Sequence, residues 1–263
     1  MKLKIKKSLG QNFLTDKNIL EKIVNLTNIE DETIIEIGPG TGNLTKLILK
    51  NKPKKFIAIE KDKDLAVFLK KNFKNKLEII NDDVLKINEK SLSKDKVIVF
   101  GNLPYNISTE ILCKWILNLD NEEFWFHSLI LMFQKEVADR IISKFNSSKY
   151  GRITILANWK FNVKKVTDIK PNCFNPRPKI DSSLLFFSPK KNFFKIKNPH
   201  NLEKITRIFF NHRRKMIKKP YNYLFNGNSK IIEKLNLDMN LRPQNLDFET
   251  YYKLTHELEK LNG

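Results

Sequence analysis

Residues 33–42 read Thr33-Ile34-Ile35-Glu36-Ile37-Gly38-Pro39-Gly40-Thr41-Gly42, and this stretch decides the fold. β-branched residues fill its first half, as is typical of a buried strand, and glycines alternate through its second half. Leu44, Leu47 and Ile48 follow at helical spacing. A strand that runs through a glycine-rich turn into a helix is the opening unit of a doubly wound α/β sheet. Its turn lets a ligand approach the backbone closely.

The same unit of strand and helix recurs along the chain. Further buried strands are predicted at 56–60, 77–80, 97–100 and 124–133. Helical periodicity surrounds them, at 17–28, 62–73, 110–119, 134–145 and 152–160. Strands that alternate with helices of this length indicate an α/β protein with a doubly wound, mostly parallel, Rossmann-like sheet. The extended segments 162–170 and 182–187 are predicted to pair antiparallel at the edge of that sheet.

The composition changes near residue 189. Beyond it the pattern is purely helical, with candidate helices at 200–211, 228–236 and 247–261. We therefore predict a larger domain over 1–189 and a smaller, basic, all-helical domain over 190–263, which has 16 Lys or Arg against 7 Asp or Glu. Its densest basic cluster comprises Arg207, Arg213, Arg214, Lys215, Lys218 and Lys219. A solvated helix face is the plain alternative, but the density favours contacts with phosphates.

The whole chain of 263 residues carries a formal charge of +20. Such an excess favours an anionic partner, and we rank nucleic acid above a membrane surface. A generally lysine-rich proteome would produce the same excess without such a partner. The two cysteines and four histidines lack the spacing of metal ligands or of a disulfide framework, which fits a reducing cytosol. No apolar run approaches ~18 residues, so we expect no membrane span and a cytoplasmic protein.

Acidic residues follow two of the other predicted strands. Glu60 ends the second strand, where a carboxylate can hold both hydroxyls of a ribose. Asp83 follows the third, where it can accept a hydrogen bond from an adenine amino group. Structural alternatives exist, since Gly38 to Gly42 could form a plain turn and both acids could cap helices. Their coincidence at strand ends favours a nucleoside cofactor. The acid at the second strand disfavours a 2′-phosphate, and the layout is similar to that of S-adenosylmethionine-dependent methyltransferases.

The fourth strand leads into the loop Gly101-Asn102-Leu103-Pro104-Tyr105-Asn106-Ile107-Ser108-Thr109. The Asn102 side-chain oxygen and a loop carbonyl can accept hydrogen bonds from both N–H groups of an adenine N6 amino group. These bonds aim the nitrogen lone pair at a methyl donor. Tyr105 offers a face on which the base can stack. A sulfonium supplies its own leaving group, so no strong general base is needed. Such loops resemble those of enzymes that methylate exocyclic amino groups.

Five blocks of sequence then make the resemblance specific. They are Ser8-Leu9-Gly10-Gln11-Asn12-Phe13-Leu14-Thr15-Asp16, Glu36 to Gly42, Gly101 to Thr109, Gln134-Lys135-Glu136-Val137 and Phe174-Asn175-Pro176-Arg177-Pro178-Lys179-Ile180-Asp181-Ser182. In this order they resemble the KsgA/RsmA family of small-subunit rRNA adenine dimethyltransferases. Ile180 stands where that family usually has valine.

The resemblance implies an activity, a cofactor and a site. S-adenosylmethionine would dimethylate N6 of two adjacent adenosines in the 3′-terminal hairpin loop of 16S rRNA. Segment 1–189 would be the catalytic domain and 190–263 the rRNA-binding domain. The positions that contact the cofactor are Gln11, Asn12, Leu14, Gly38, Gly40, Glu60, Asp83 and Asn102. Those that hold the target base are Asn102, Leu103, Pro104 and Tyr105, with Phe174 as a second stacking ring. We expect a monomer without a metal, and a further role in ribosome biogenesis is left open.

Three alternatives stay open. A 23S rRNA methyltransferase of the macrolide-resistance type has similar motifs, but its loop usually has isoleucine where Leu103 stands. A non-catalytic assembly factor is disfavoured by the intact glycine turn and by Asn102. A DNA adenine methylase is disfavoured by the loop and by the lack of a recognisable target-recognition domain. In the tail, 211–215 resembles the family's Arg-Arg-Lys segment, and Pro220 is predicted to end that helix early.

Overall fold

The computed structural model of the chain describes residues 6, 10–119 and 123–262. Ser8 and Leu9 of the N-terminal block lie outside the described residues. In chain order the strands and helices are β1 (Phe13–Leu14), α1 (Lys17–Val24), β2 (Thr33–Ile37), α2 (Asn43–Lys50), β3 (Lys55–Ile59), α3 (Lys63–Asn72), β4 (Glu78–Ile80), β5 (Val97–Asn102), α4 (Ser108–Leu117), β6 (Phe126–Gln134), α5 (Lys135–Ile141), α6 (Arg152–Lys160), β7 (Phe161–Ile169), β8 (Phe174–Asn175), β9 (Ser182–Pro189), α7 (Pro199–Asn211), α8 (Lys218–Phe225), α9 (Ser229–Leu235) and α10 (Phe248–Asn262).

The central sheet has seven strands in the order β4-β3-β2-β5-β6-β9-β7. The first five are mutually parallel, and β9 is antiparallel to β6. The predicted doubly wound, Rossmann-like sheet is therefore confirmed. The two late extended segments are neighbours at its edge, as predicted. An antiparallel strand begins at the edge where its parallel neighbours end, so β9 starts with Ser182 opposite Gln134, the last residue of β6.

The chain divides into two compact units, of which unit 1 consists of Met1–Ile111, Phe124–Ala138 and Lys164–Pro189. Its core includes Ile34, Phe100 and Ile130 from three adjacent strands, each at most 1% exposed. Burial of each such side chain stabilises the fold by about 1.5–3 kcal/mol. Asp16 caps α1, and its carboxylate accepts from Ile19 N–H at 3.0 Å. Packing of these apolar side chains holds the strands together, so the polar residues at the strand ends lie along one edge of the sheet.

Unit 2 consists of Leu112–Glu123, Asp139–Val163 and Lys190–Gly263. The last segment of unit 2 begins at Lys190, where we placed the start of the second domain. Unit 2 also includes two segments from earlier in the chain. The ring of Tyr150 packs edge-on against Phe210 and Phe248, with centroids 6.0 and 5.4 Å apart. Segments distant in sequence therefore share one core, which a change in composition does not reveal.

The tail contains one helix that periodicity did not indicate, α8. Pro220 lies in its first turn, where the missing N–H would have no helical partner in any case. The prediction that Pro220 ends the helix of the Arg-Arg-Lys segment is wrong. That helix, α7, already ends at Asn211, and turns occupy 212–214.

Candidate active site

The turn after β2 forms one wall of the site. Gly38 and Gly40 have φ of 67° and 58°, in the left-handed region that favours glycine. A Cβ on Gly40 would lie 2.6 Å from a ring atom of Phe13, so a side chain has no room there. Glycine is required at this position for both reasons, and a ligand can meet bare backbone.

A cavity within unit 1 adjoins this turn, at the edge where the parallel strands end. The predicted site residues that line it are Gln11, Asn12, Gly38, Gly40, Glu60, Asn102, Leu103, Pro104 and Tyr105. The remaining lining residues are Gly10, Phe13, Lys61, Leu65, Asn106 and Ile107. The structure thus brings the two predicted halves of the site, for the methyl donor and for the base, to a single cavity. Leu14, Asp83 and Phe174 are not among the lining residues.

Glu60 is 6% exposed and ties the turn to the next strand. Its carboxylate accepts from Gly40 N–H at 3.2 Å and from Asp62 N–H at 2.8 Å. Burial raises the pKa of this carboxyl, and the two N–H donors oppose the rise. Asp62, not Glu60, caps α3, so the alternative of a helix cap fails for Glu60. Acceptor oxygens at the cavity wall suit the hydroxyls of a ribose.

Asp83 is engaged outside the cavity lining. One carboxylate oxygen accepts from Leu85 N–H at 3.1 Å, so the alternative role of a helix cap applies to a 3-10 turn here. The other lies 2.7 Å from Lys61 Nζ. The hydrogen bond from Lys61 is the main cause that lowers the pKa of Asp83, and it keeps the carboxylate charged. Lys61 lines the cavity, whereas Asp83 does not. The predicted contact of Asp83 with adenine therefore stays a prediction.

Asn102 ends β5 with its side-chain amide held in one orientation. Its Nδ2 donates to the backbone carbonyl of Asn12 at 2.8 Å. Among the described residues, no donor bonds to its Oδ1. An oriented carbonyl oxygen at the cavity is the acceptor that an exocyclic amino group needs.

Tyr105 is held at the far end of its ring. Its hydroxyl is hydrogen-bonded to Ser182 Oγ, at the start of β9. Burial raises the pKa of the Tyr105 phenol, and the Ser182 bond opposes the rise. The ring is therefore neutral near pH 7 and suited to stacking. Its neighbour Leu103, 1% exposed, fills the space beside Gly101, where a Cβ would lie 2.8 Å from Leu103 Cδ2.

Phe174 and Leu14 form a small sheet of their own. β8 pairs antiparallel with β1, and this register places Phe174 opposite Leu14. Both side chains belong to the core of unit 1, with 2% and 6% exposed. The structure therefore describes Phe174 as a packing residue, and its stacking role stays a prediction.

Two acidic residues near the site were missed from the sequence. Asp62 bonds Lys6 Nζ at 2.6 Å and Gln11 Nε2 at 2.8 Å, which fastens the N-terminal segment to α3. Glu36 is 2% exposed and accepts from Thr45 Oγ1 at 2.7 Å. Burial raises the pKa of Glu36 to about 8, Thr45 opposes the rise, and nearby Glu60 adds to it. An acid within an apolar strand was the signal for Glu36, since only a strong reason keeps a carboxyl there.

The predicted basic cluster falls into two groups in unit 2. Arg213 donates to the carbonyls of Ser147 and Ser148 and to Gln244 Oε1, so its guanidinium holds a loop. Arg207 lies 3.7 Å from the carboxylate of Glu203. The exposed members Arg214, Lys215, Lys218 and Lys219 line a second cavity.

This second cavity also contains residues that the sequence did not indicate, among them Met216 and Arg242. Arg242 comes from a distant turn, and no motif pointed to it. Met216 is 55% exposed. Cations around an exposed apolar side chain form a surface for an anionic partner that also has apolar faces, as nucleic acid does.

Within 6, 10–119 and 123–262, no three His, Cys, Asp or Glu side chains cluster so as to hold a metal ion. In the same ranges no helix is both long and apolar enough to cross a membrane.

Known proteins resemble this chain over its whole length. The family model described as "Ribosomal RNA adenine dimethylase" matches residues 2–260. "Ribosomal RNA small subunit methyltransferase A" of Pelagibacter ubique is 63% identical over 263 residues, covering 100% of both chains. Its namesake from Ehrlichia canis is 40% identical and covers 96% of this chain and 97% of its own. A dimethyladenosine transferase from Plasmodium falciparum superposes with a TM-score of 0.80, 29% identity and coverage of 95% of this chain and 98% of its own. The chain therefore belongs to the ribosomal RNA adenine dimethylase family.

Proposed function

We propose that this protein transfers methyl groups from S-adenosylmethionine to N6 of adenosines in 16S rRNA, and dimethylates two adjacent adenosines of the 3′-terminal hairpin loop. One observation carries the proposal. The glycine turn, Glu60 and the Asn102–Tyr105 loop meet at one cavity, in a chain whose 63% identical relative is named for methylation of small-subunit rRNA. We further propose that it acts as a monomer in the cytoplasm.

The lining of the cavity fits S-adenosylmethionine in its chemistry. Glu60 offers acceptor oxygens for ribose hydroxyls, and Gly38 and Gly40 line the cavity with backbone that carries no side chain. Phe13 and Leu65 supply apolar surface for the less polar parts of the molecule. When bound, S-adenosylmethionine supplies an electrophilic methyl group on a sulfonium.

The target loop performs the positioning that this chemistry needs. Asn102 Oδ1 accepts a hydrogen bond from the N6 amino group, and this bond turns the nitrogen lone pair out of the ring plane. Tyr105 stacks on the base, a contact worth ~1–3 kcal/mol. Extracting a base from a loop costs less than extracting one from a duplex, so a hairpin loop suits this site.

The basic cavity of unit 2 supplies the contact with RNA in this proposal. Arg214, Lys215, Lys218 and Lys219 are exposed and line it together with Arg242. These side chains would bind phosphates, which give affinity without sequence specificity. Arg213 is left out of this set because its guanidinium is bonded within the chain.

The test is methylation of unmodified 30S particles with labelled S-adenosylmethionine, followed by mapping of the product bases. We expect N6-dimethyladenosine at two adjacent positions near the 3′ end of 16S rRNA. Label confined to large-subunit RNA would favour the macrolide-resistance activity and overturn the proposal. Binding of 30S particles without any transfer would instead favour a non-catalytic assembly factor.

A further inference from the structure

Ser182 lies beside the target loop although 77 residues separate it from Tyr105. It is brought there by strand direction. β9 runs antiparallel to β6, so its first residue lies opposite Gln134 at the end of β6. β6 pairs in parallel with β5, where Met132 lies opposite Asn102. The start of β9 is thus at the same edge as the end of β5.

The contact between the two side chains restrains the ring of Tyr105. Ser182 is 0% exposed, and its hydroxyl bonds the hydroxyl of Tyr105. At the other end of the residue, the Tyr105 carbonyl accepts from buried Ser108 Oγ at 3.2 Å. Rotation about the Cα–Cβ bond of Tyr105 would carry its hydroxyl away from Ser182 and leave the buried Ser182 hydroxyl without that partner, which is costly.

The start of β9 is itself well anchored. Ser183 donates to Asp168 Oδ1 at 2.6 Å, and the same carboxylate lies 2.6 Å from Lys165. Before Ser182, the carbonyl of Asp181 accepts from Lys135 N–H at 2.9 Å. The backbone at Ser182 is fixed by the pairing of β9 with β6, which does not depend on the Ser183 hydroxyl, so Ser182 is a fixed partner for Tyr105.

We propose that Ser182 is a positioning residue for methyl transfer, because its hydroxyl fixes the direction of the Tyr105 side chain and so keeps the ring beside the place where the target base stacks. The proposal rests on the function proposed above, since it is the target base that Tyr105 would contact. The simpler explanation is that the two hydroxyls only satisfy each other in a buried place. In that case loss of the bond would change stability and leave turnover of the folded enzyme unchanged.

Ser182→Ala and Ser183→Ala form a matched pair for the test. Both residues are serines of β9, both are 0% exposed, and both hydroxyls are bonded, but only Ser182 bonds Tyr105. Methylation of unmodified 30S particles would be measured with the full-length variants, with thermal unfolding and calorimetry of S-adenosylmethionine binding alongside. We expect kcat/KM to fall about tenfold in Ser182→Ala, with cofactor affinity unchanged, and to stay within about twofold in Ser183→Ala.

Tyr105→Phe provides a second route, because it keeps the ring and removes the same bond from the other side. We expect it to match Ser182→Ala, the double variant to be no worse than either, and Ser182→Thr to recover most of the activity. Equal turnover in the two serine variants, or additive losses in the double variant, would overturn the positioning role. If wild-type enzyme fails to methylate 30S particles, the proposed function falls instead, so the two failures are distinguishable.

Discussion

The cavity of unit 1 and the basic cavity of unit 2 both contain many polar side chains, but they are built differently. Around the first, Glu60, Asn102 and Tyr105 are each bonded to a residue elsewhere in the chain. Around the second, Arg214, Lys215 and Arg242 are exposed, and within the described ranges no salt bridge restrains them.

The two regions should therefore respond differently to mutation. A set of groups held in place works through the position of each atom, so the loss of one member is severe. A set of exposed cations works through summed charge, so each loss is modest and depends on salt.

Asn102→Ala should break the first region most completely. We expect methyl transfer to fall by about a hundredfold or more, since an oriented acceptor for the N6 amino group is removed. Binding of 30S particles should be largely intact, because the phosphate contacts are proposed to lie elsewhere. Single-turnover methylation and filter binding measure the two quantities.

Asn106→Ala is the matched control for this variant, because Asn106 lines the same cavity but is exposed. It should retain most of the activity. Near-normal turnover in Asn102→Ala would remove the hydrogen-bonding role and weaken the contrast between the regions.

Glu36→Gln should reveal the cost of a buried carboxyl in the first region. With a folded pKa of about 8 against an ordinary 4.5, folded Glu36 keeps a proton that the unfolded chain releases. Wild-type stability should therefore decline as pH rises from 4.5 to 8, a slope that the glutamine variant lacks.

Denaturant unfolding at pH 5.5 and pH 7.5 checks this expectation. The stability of Glu36→Gln relative to wild type should grow by about 2 kcal/mol between the two values. Parallel pH dependence of the two proteins would show that Glu36 is ionised in the fold, and the region would then be less tightly packed than described.

Glu60→Gln should weaken the binding of the cofactor rather than slow the methyl-transfer step. It leaves one acceptor oxygen where Gly40 and Asp62 N–H each bond a separate carboxylate oxygen, and it removes the charge that favours ribose hydroxyls. We therefore expect the Kd of S-adenosylmethionine to rise about tenfold. Calorimetry measures the change, and Glu78→Gln, at an exposed position of β4, serves as control. An unchanged Kd would exclude Glu60 from the ribose.

Arg214→Ala and Arg213→Ala test whether the basic cluster of unit 2 contains an exposed arginine that binds phosphate and a bonded arginine that holds a loop. Arg214→Ala should weaken 30S binding only severalfold, reduce the salt dependence by about one ion, and leave stability alone. Arg213→Ala should instead cost about 1–2 kcal/mol of stability, because it removes the bonds from the guanidinium to the Ser147 and Ser148 carbonyls and to Gln244. Salt titrations and thermal unfolding separate them, and identical behaviour would contradict the division of the cluster.

Local pattern was sufficient where a residue's role depends on its near neighbours. The strand at 33–37 and the helix at 152–160 were predicted to the residue, since burial and periodicity there agree with the structure. The glycine turn and the loop from Asn102 to Tyr105 were likewise identified from types and spacing. α8 was missed because it begins among lysines and a proline. Charge in a sequence also does not disclose that the guanidinium of Arg213 is bonded within the chain.

The sequence alone determined the doubly wound sheet, the family, and the residues that meet at the carboxyl edge. The sheet follows from the apolar period of each strand, the edge residues follow from the polar residues that end the strands, and the family follows from the resemblance of the five sequence blocks; all of these are local properties. Only the tertiary structure decided that Asp62 holds the N-terminal segment, that Arg242 joins the basic cavity, that Phe174 packs in the core and that Ser182 reaches Tyr105. Each of these depends on strand order and direction, through which residues distant in sequence come within hydrogen-bonding or packing distance.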